Sequence, residues 1–324
     1  MRRREFIAGL GGAAAWPMMA RAQQPGQVRR IGYLSPGFDR NFLDEAFEEV
    51  LRQRGWVSGR NITIEYRYTG GREDAVAPIV AEIAALKLDA ILAWSPPLAL
   101  ATKQATQTPL VFIITFDPIE VGLVSNLAAP EGNVTGITSL ASLEIIAKRL
   151  QLLKEAVPSV RSVAVLISTE QLRSRGGHDA LIASARALDV QLHDALVVTP
   201  GDLAFVIGNA KEQGAEALYV WPGGIAFSFA KQIADFANAH QLPSLVPFRE
   251  AAVSGGLLAY AADLKQSAGR GAEYIDKILN GVPTSQLPVE QLSKYELLIN
   301  LKTARTLGLD LPATLLARAD EVIE

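Results

Sequence analysis

From Arg30 to Leu307 the chain repeats one cycle, a short apolar run followed by a stretch whose apolar residues fall on one helical face. Arg30–Leu34 reads as a buried strand. Asn41–Gln53 follows with Phe42, Leu43, Ala46, Phe47, Val50 and Leu51 on one side and charges on the other. By the same period, the pairs Asp44-Glu45 and Glu48-Glu49 fall on the solvent face of that helix. Asn61–Arg67 sets Ile62, Ile64 and Tyr66 on one face of a strand. Glu73–Leu86 is helical by period, Leu88–Ala93 is a strand, Pro97–Thr106 a helix opened by proline, and Leu110–Ile114 another strand. Strands separated by helices in this way build a parallel sheet covered on both faces.

The cycle then restarts. Ser142–Ala156 is a helix ended by Pro158, and Ser162–Ile167 a fully buried strand. His178–Leu188, Leu203–Gln213 and Ala226–His240 read as helices, with Gln191–Val198, Ala217–Val220, Ser244–Pro247 and Leu257–Tyr260 as strands between and after them. Tyr295–Asn300 and Lys302–Leu307 add a last strand–helix pair. No low-complexity linker and no internal sequence repeat divides the chain. The expected fold class is α/β, with two doubly wound parallel-sheet lobes and a cleft between them.

Residues 1–22 have a different character. Arg3-Arg4 precede Phe6-Ile7 and a small apolar run, and Ala20-Arg21-Ala22 supplies small residues at −3 and −1. This is the pattern of a cleavable secretory signal, and the paired arginines resemble the leader that exports folded proteins. Its removal takes away four arginines and one glutamate and moves the formal charge from −3 to −6. The expected product is exported, periplasmic and free of the membrane after cleavage.

A mildly acidic chain carries no electrostatic footprint for nucleic acid. It has no cysteine, hence no disulfide, thiolate nucleophile or thiolate metal site, and its three histidines lie far apart in sequence. No phosphate loop, dinucleotide fingerprint or nucleophile elbow follows a strand. No cofactor, metal or catalytic residue is expected, so the chain does not read as an enzyme. An exported hydrolase would have to pair Ser95 with His178 or His240.

Open α/β sheets bind ligands beyond the carboxyl ends of their strands. Two facing lobes would set both groups of loops around one cleft that closes by a hinge. The loop residues singled out are Ser35, Phe38, Trp94, Ser95, Thr115, Phe116, Asp117, Ser168, Trp221, Phe248, Arg249 and Tyr260. Aromatic side chains at strand ends could sandwich a flat ligand, or could simply lid the core. Ser95 could help a helix N-terminus hold a carboxylate, or serve as an N-cap. Asp117 could pair with an ammonium group or start a turn. Arg249 could grip a carboxylate or form a surface pair with Glu250.

Several segments resemble the solute-binding proteins of ABC transporters, in the branch labelled tryptophan/tyrosine-type. They are Asp117–Gly136 (DPIEVGLVSNLAAPEGNVTG), Arg30–Leu34, Gly55 with Gly59–Ile62, Gly255–Tyr260, and the tail Leu287–Glu324. Glu131, where the family usually has glycine, and Leu292, where it usually has proline, depart from the pattern. The resemblance implies a type I periplasmic binding protein with three crossovers near residues 136–137, 242–243 and 282–283. Lobe 1 would then span 28–137 plus 244–281, and lobe 2 138–243 plus 282–324. It also implies a monomer that captures a small carboxylated ligand, aromatic or branched-apolar, and hands it to a membrane permease. A ligand-sensing receptor feeding a kinase is the alternative use of the same fold.

Overall fold

The computed structural model describes residues 28–114, 117–139, 143–168 and 175–324. The expected leader and the candidates Thr115 and Phe116 lie outside these residues. Strands are β1 (Arg29–Ser35), β2 (Ile62–Tyr68), β3 (Ala90–Trp94), β4 (Leu110–Ile114), β5 (Val134–Thr138), β6 (Ser162–Ser168), β7 (Gln191–Val197), β8 (Ala217–Val220), β9 (Ser244–Val246), β10 (Leu258–Ala262), β11 (Glu290–Gln291), β12 (Tyr295–Asn300) and β13 (Glu321–Ile323). Helices are α1 (Phe42–Gln53), α2 (Val76–Ala85), α3 (Pro96–Ala105), α4 (Glu144–Ala156), α5 (Arg175–Ala187), α6 (Leu203–Glu212), α7 (Gly224–Ser228), α8 (Ala230–Ala239), α9 (Arg249–Val253), α10 (Leu264–Leu279), α11 (Leu301–Thr306) and α12 (Ala313–Leu316).

They form two sheets, ordered β11-β5-β4-β3-β1-β2 and β13-β12-β10-β9-β8-β6-β7. Every pairing is parallel except β10 with β12. The central strands β3 (AILAW) and β4 (LVFII) are buried at every position. Such unbroken apolar runs are what a strand covered by helices on both faces requires.

The sheets correct the expected lobe boundaries. β9 and β10 continue the second sheet beside β8, so residues 244–262 belong to lobe 2 and not to lobe 1. Conversely, β11 pairs with β5, which places residues 282–291 in lobe 1. The chain therefore crosses after β5, between β10 and α10, and between β11 and β12. A strand's apolar pattern reports its burial but not its neighbour, and a three-residue strand such as β9 carries almost no pairing signal of its own. Helix α10, absent from the sequence reading, is the longest among the described residues and packs on α1, β3, β4 and β5.

Helix α1 shows a second correction. Leu43, Phe47 and Leu51 are buried, as their spacing predicts. Asp44, expected in solvent, is 0% exposed. The Asn41 side chain accepts the Leu43 amide at 2.9 Å, and the Asp44 carboxylate accepts the Asn41 amide at 2.6 Å. This reciprocal capping box turns the third helical residue back toward the helix start, where lobe 1 covers it. A period of 3.6 residues does not report that inward turn.

Candidate functional site

The cleft forms where the carboxyl ends of both sheets meet. Lobe 1 supplies Ser35 and Pro36 after β1, Leu43 from α1, Trp94, Ser95 and Pro96 around the β3–α3 junction, and Ile113 and Ile114 at the end of β4. Ser139 follows β5. Leu264, at the start of α10, completes the lobe 1 side, and from the other side come Gly223, Gly224 and Phe227 around α7 and Phe248 after β9. Together these residues line one gap between the lobes that opens to solvent at its mouth.

Its walls are mostly apolar. Phe227 and Phe248 meet edge to face, centroids 5.8 Å apart. Trp94 is 6% exposed, and its indole N–H donates to the Tyr33 hydroxyl at 2.8 Å. The polar side chains on the lining are the hydroxyls of Ser35, Ser95 and Ser139, and among the described residues no ionisable side chain lines it. Past Pro96 and Gly223 the cleft continues toward Arg72 and Glu73.

Beneath this lining lies a buried polar layer. Asp44 stands close to the hydroxyls of Tyr33 and Tyr68. Burial pushes its carboxyl above the usual carboxylate range, against the opposing pull of the Asn41 amide. Burial and then the Asp44 charge push the Tyr33 phenol well above its ordinary value, so it is a neutral donor. At the surface edge of this layer the exposed Arg40 reaches Glu48 at 2.7 Å, and the Tyr66 hydroxyl donates to that same carboxylate.

The geometry divides the candidate residues. Ser35, Trp94, Ser95 and Phe248 come together on the cleft. Ser95 sits at φ +81°, a conformation disfavoured for a residue with a Cβ, and its hydroxyl makes no capping bond. The expected carboxylate seat at the start of α3 is poor in donors, because Pro96 and Pro97 have no N–H. The amide of Ser95 itself is given to the Ile113 carbonyl.

The other candidates lie elsewhere. Phe38 is 57% exposed and meets Phe229 of the opposite lobe edge to face, centroids 5.0 Å apart. Asp117 is exposed and accepts the amides of Ile119 and Glu120, which is the turn-starting role. Ser168 is buried at the end of β6. Trp221 is buried against Tyr219, Gly177 and Ile146 rather than on the cleft. Arg249 makes a two-pronged pair with Glu321, not Glu250. Tyr260 stacks on Tyr295 and lines a separate surface groove between α4 and α5. Leu43, Phe227, Ser139 and Leu264 were not found by the strand-end rule, since three of them sit in or next to helices whose turns face the gap.

The two lobes touch across the cleft mouth. The Ser228 hydroxyl donates to the Pro36 carbonyl at 2.6 Å, and the Gly176 amide donates to a Glu120 carboxylate oxygen at 2.9 Å. Gly71, at φ +72°, lies so near Phe229 that an added Cβ would stand 3.0 Å from the ring. These contacts define a closed arrangement.

Two α/β lobes closed on a largely apolar pocket define a bilobal solute receptor, and known proteins agree. The chain belongs to the family of ABC transporter substrate-binding proteins, whose model matches residues 40–323. A tyrosine-binding protein from Clostridioides difficile (strain R20291) is 27% identical over 272 residues, 82% of this chain and 77% of that one. Among solved structures, a conserved domain protein from Vibrio cholerae superposes with a TM-score of 0.83 at 23% identity, covering 91% of this chain and 99% of that one. An ABC domain in complex with L-Trp from Streptococcus pneumoniae gives 0.81 at 22% identity, with the same coverage. The family binds small molecules and does not transform them, so this chain is a binding protein and not an enzyme. Among the described residues, no helix is long and apolar enough to cross a membrane and no cluster of side chains could hold a metal.

Proposed function

We propose that this protein is the periplasmic solute receptor of an ABC importer and that its ligand is an aromatic amino acid or a close analogue. The observation that carries this reading is the cleft itself, an apolar gap walled by Trp94, Phe227, Phe248 and Ile113. Flat aromatic ligands gain both apolar burial, about 25 cal/mol per Å², and ring–ring contacts of about 0.5–1.5 kcal/mol each in such a site. The relatives named for tyrosine and L-Trp support the same class. The hydroxyls of Ser35, Ser95 and Ser139 orient the polar end. The leader at residues 1–22 supports export, and the family supports delivery to a membrane permease.

A thermal-shift screen of the twenty amino acids, aromatic acids and branched keto acids tests this reading. Binding of a ligand at a hundred times its Kd raises stability by about 2.7 kcal/mol, so the aromatic members should raise the Tm and leave the ligand chemically unchanged. No shift with any aromatic compound, or a larger one with the branched keto acids, refutes it.

A further inference from the structure

Among the described residues Trp94 is the one large ring on the lobe 1 side of the cleft lining, and what holds it is not part of the cleft. Its indole N–H can only donate, so in the 2.8 Å contact with Tyr33 the phenol oxygen accepts. The Tyr33 proton is then left for another acceptor. Tyr33 is 0% exposed and wedged between Phe47 and Tyr66, each with its ring centroid 5.1 Å away. Asp44, also 0% exposed, is the carboxylate beside it. The same carboxylate accepts the Asn41 amide and so fixes the start of α1, which carries the cleft residue Leu43.

Polar groups buried this completely cost free energy unless they are paired. Here Tyr33 holds Trp94 on β3, while Asp44 stands beside it on α1, the helix that carries Leu43, with Oδ2 on the Asn41 amide and Oδ1 buried without a hydrogen-bond partner among the described residues. We propose that Tyr33, backed by Asp44, is a positioning residue that locks the Trp94 ring and thereby makes the cleft selective for flat aromatic ligands over branched aliphatic ones. This rests on the amino-acid reading above for its choice of ligand. Neither residue touches the ligand; both act through Trp94.

The test compares wild type, Tyr33→Phe and Asp44→Asn. Indole proton–nitrogen spectra are recorded without ligand, with the Trp94 signal assigned by Trp94→Phe. Calorimetric Kd values are then measured for L-tryptophan and L-leucine. In Tyr33→Phe the Trp94 indole signal moves upfield and exchanges with solvent about ten-fold faster, the scale of one lost buried hydrogen bond. In Asp44→Asn the same signal moves the same way by less. The preference for L-tryptophan over L-leucine falls about ten-fold in Tyr33→Phe. An unmoved indole signal, or equal losses for both amino acids, overturns the proposal and leaves Tyr33 a structural residue. If Tyr33→Phe fails to fold, Asp44→Asn decides by the same two readouts. If wild type binds neither amino acid, the function proposed above is refuted, and the positioning role is decided by the indole signal alone.

Discussion

Substituting Gly71 by alanine separates the strain of a backbone from the closure of the cleft. Gly71 has φ +72°, and a Cβ there would stand 3.0 Å from a Phe229 ring carbon and 3.2 Å from the Ser228 Cβ, both on the opposite lobe. Optimal carbon–carbon contact lies near 3.5–4.0 Å. Two costs therefore arise. The left-handed conformation costs an alanine about 1–2 kcal/mol whether the lobes are open or closed. The cross-lobe overlap costs roughly another 1–3 kcal/mol, and only in the closed state. Gly132 supplies the control, since its φ is +73° and an added Cβ would meet nothing within 4 Å. Gly71→Ala and Gly132→Ala should lower the Tm alike, while Gly71→Ala alone weakens L-tyrosine binding about five- to 150-fold for that 1–3 kcal/mol. Small-angle scattering should show a larger radius for unliganded Gly71→Ala than for Gly132→Ala. Equal affinities and equal radii for the two variants would refute the reasoning, because the contact would then do nothing for closure.

Phe227→Ala removes one ring of the edge-to-face pair with Phe248. It should cost about 1.5–3 kcal/mol of ligand binding, read by calorimetry, with little change in Tm because Phe227 is only partly buried. Arg249→Ala breaks an exposed pair with Glu321. It should change stability by no more than about 1 kcal/mol and leave ligand affinity untouched, which a binding isotherm would check directly. Asp44 gives a pH signature. Its folded pKa lies above the unfolded value, so the native state keeps a proton that the unfolded chain has already released. That contribution is present at low pH and is lost as pH rises through the folded pKa. Denaturant melts should show wild type gaining on Asp44→Asn as pH falls from 7 toward 4; a gap independent of pH would contradict the burial argument.

Much of this fold was legible in the residues. β4, β8 and β12 have the bounds that their apolar runs predict, and Asn41 marks the start of α1 because its side chain is a cap. What failed was the assignment of β9, β10 and β11 to lobes, since pairing partners depend on contacts far away in sequence. Helix α10 was missed although it is amphipathic, its small residues Ala268, Gly271 and Ala272 being buried by close packing rather than by bulk. At the site, Ser35, Trp94, Ser95 and Phe248 followed from the rule that ligands bind at the carboxyl ends of strands. Trp221 and Tyr260 satisfy the same rule and still lie off the cleft, because a strand end has two faces and only one looks across the gap. Arg249 shows the limit for charges: its partner Glu321 is separated from it by most of the C-terminal segment.

The three crossings of the polypeptide also bear on how such a protein comes into being. α10 and β11, both beyond residue 263, complete the first sheet and its cover, while β12 and β13, beyond residue 294, complete the second. The first sheet therefore cannot be finished until the ribosome has passed residue 291, nor the second until it has passed residue 323. Each half waits for strands made long after its first ones, so both mature late, on residues 264–323.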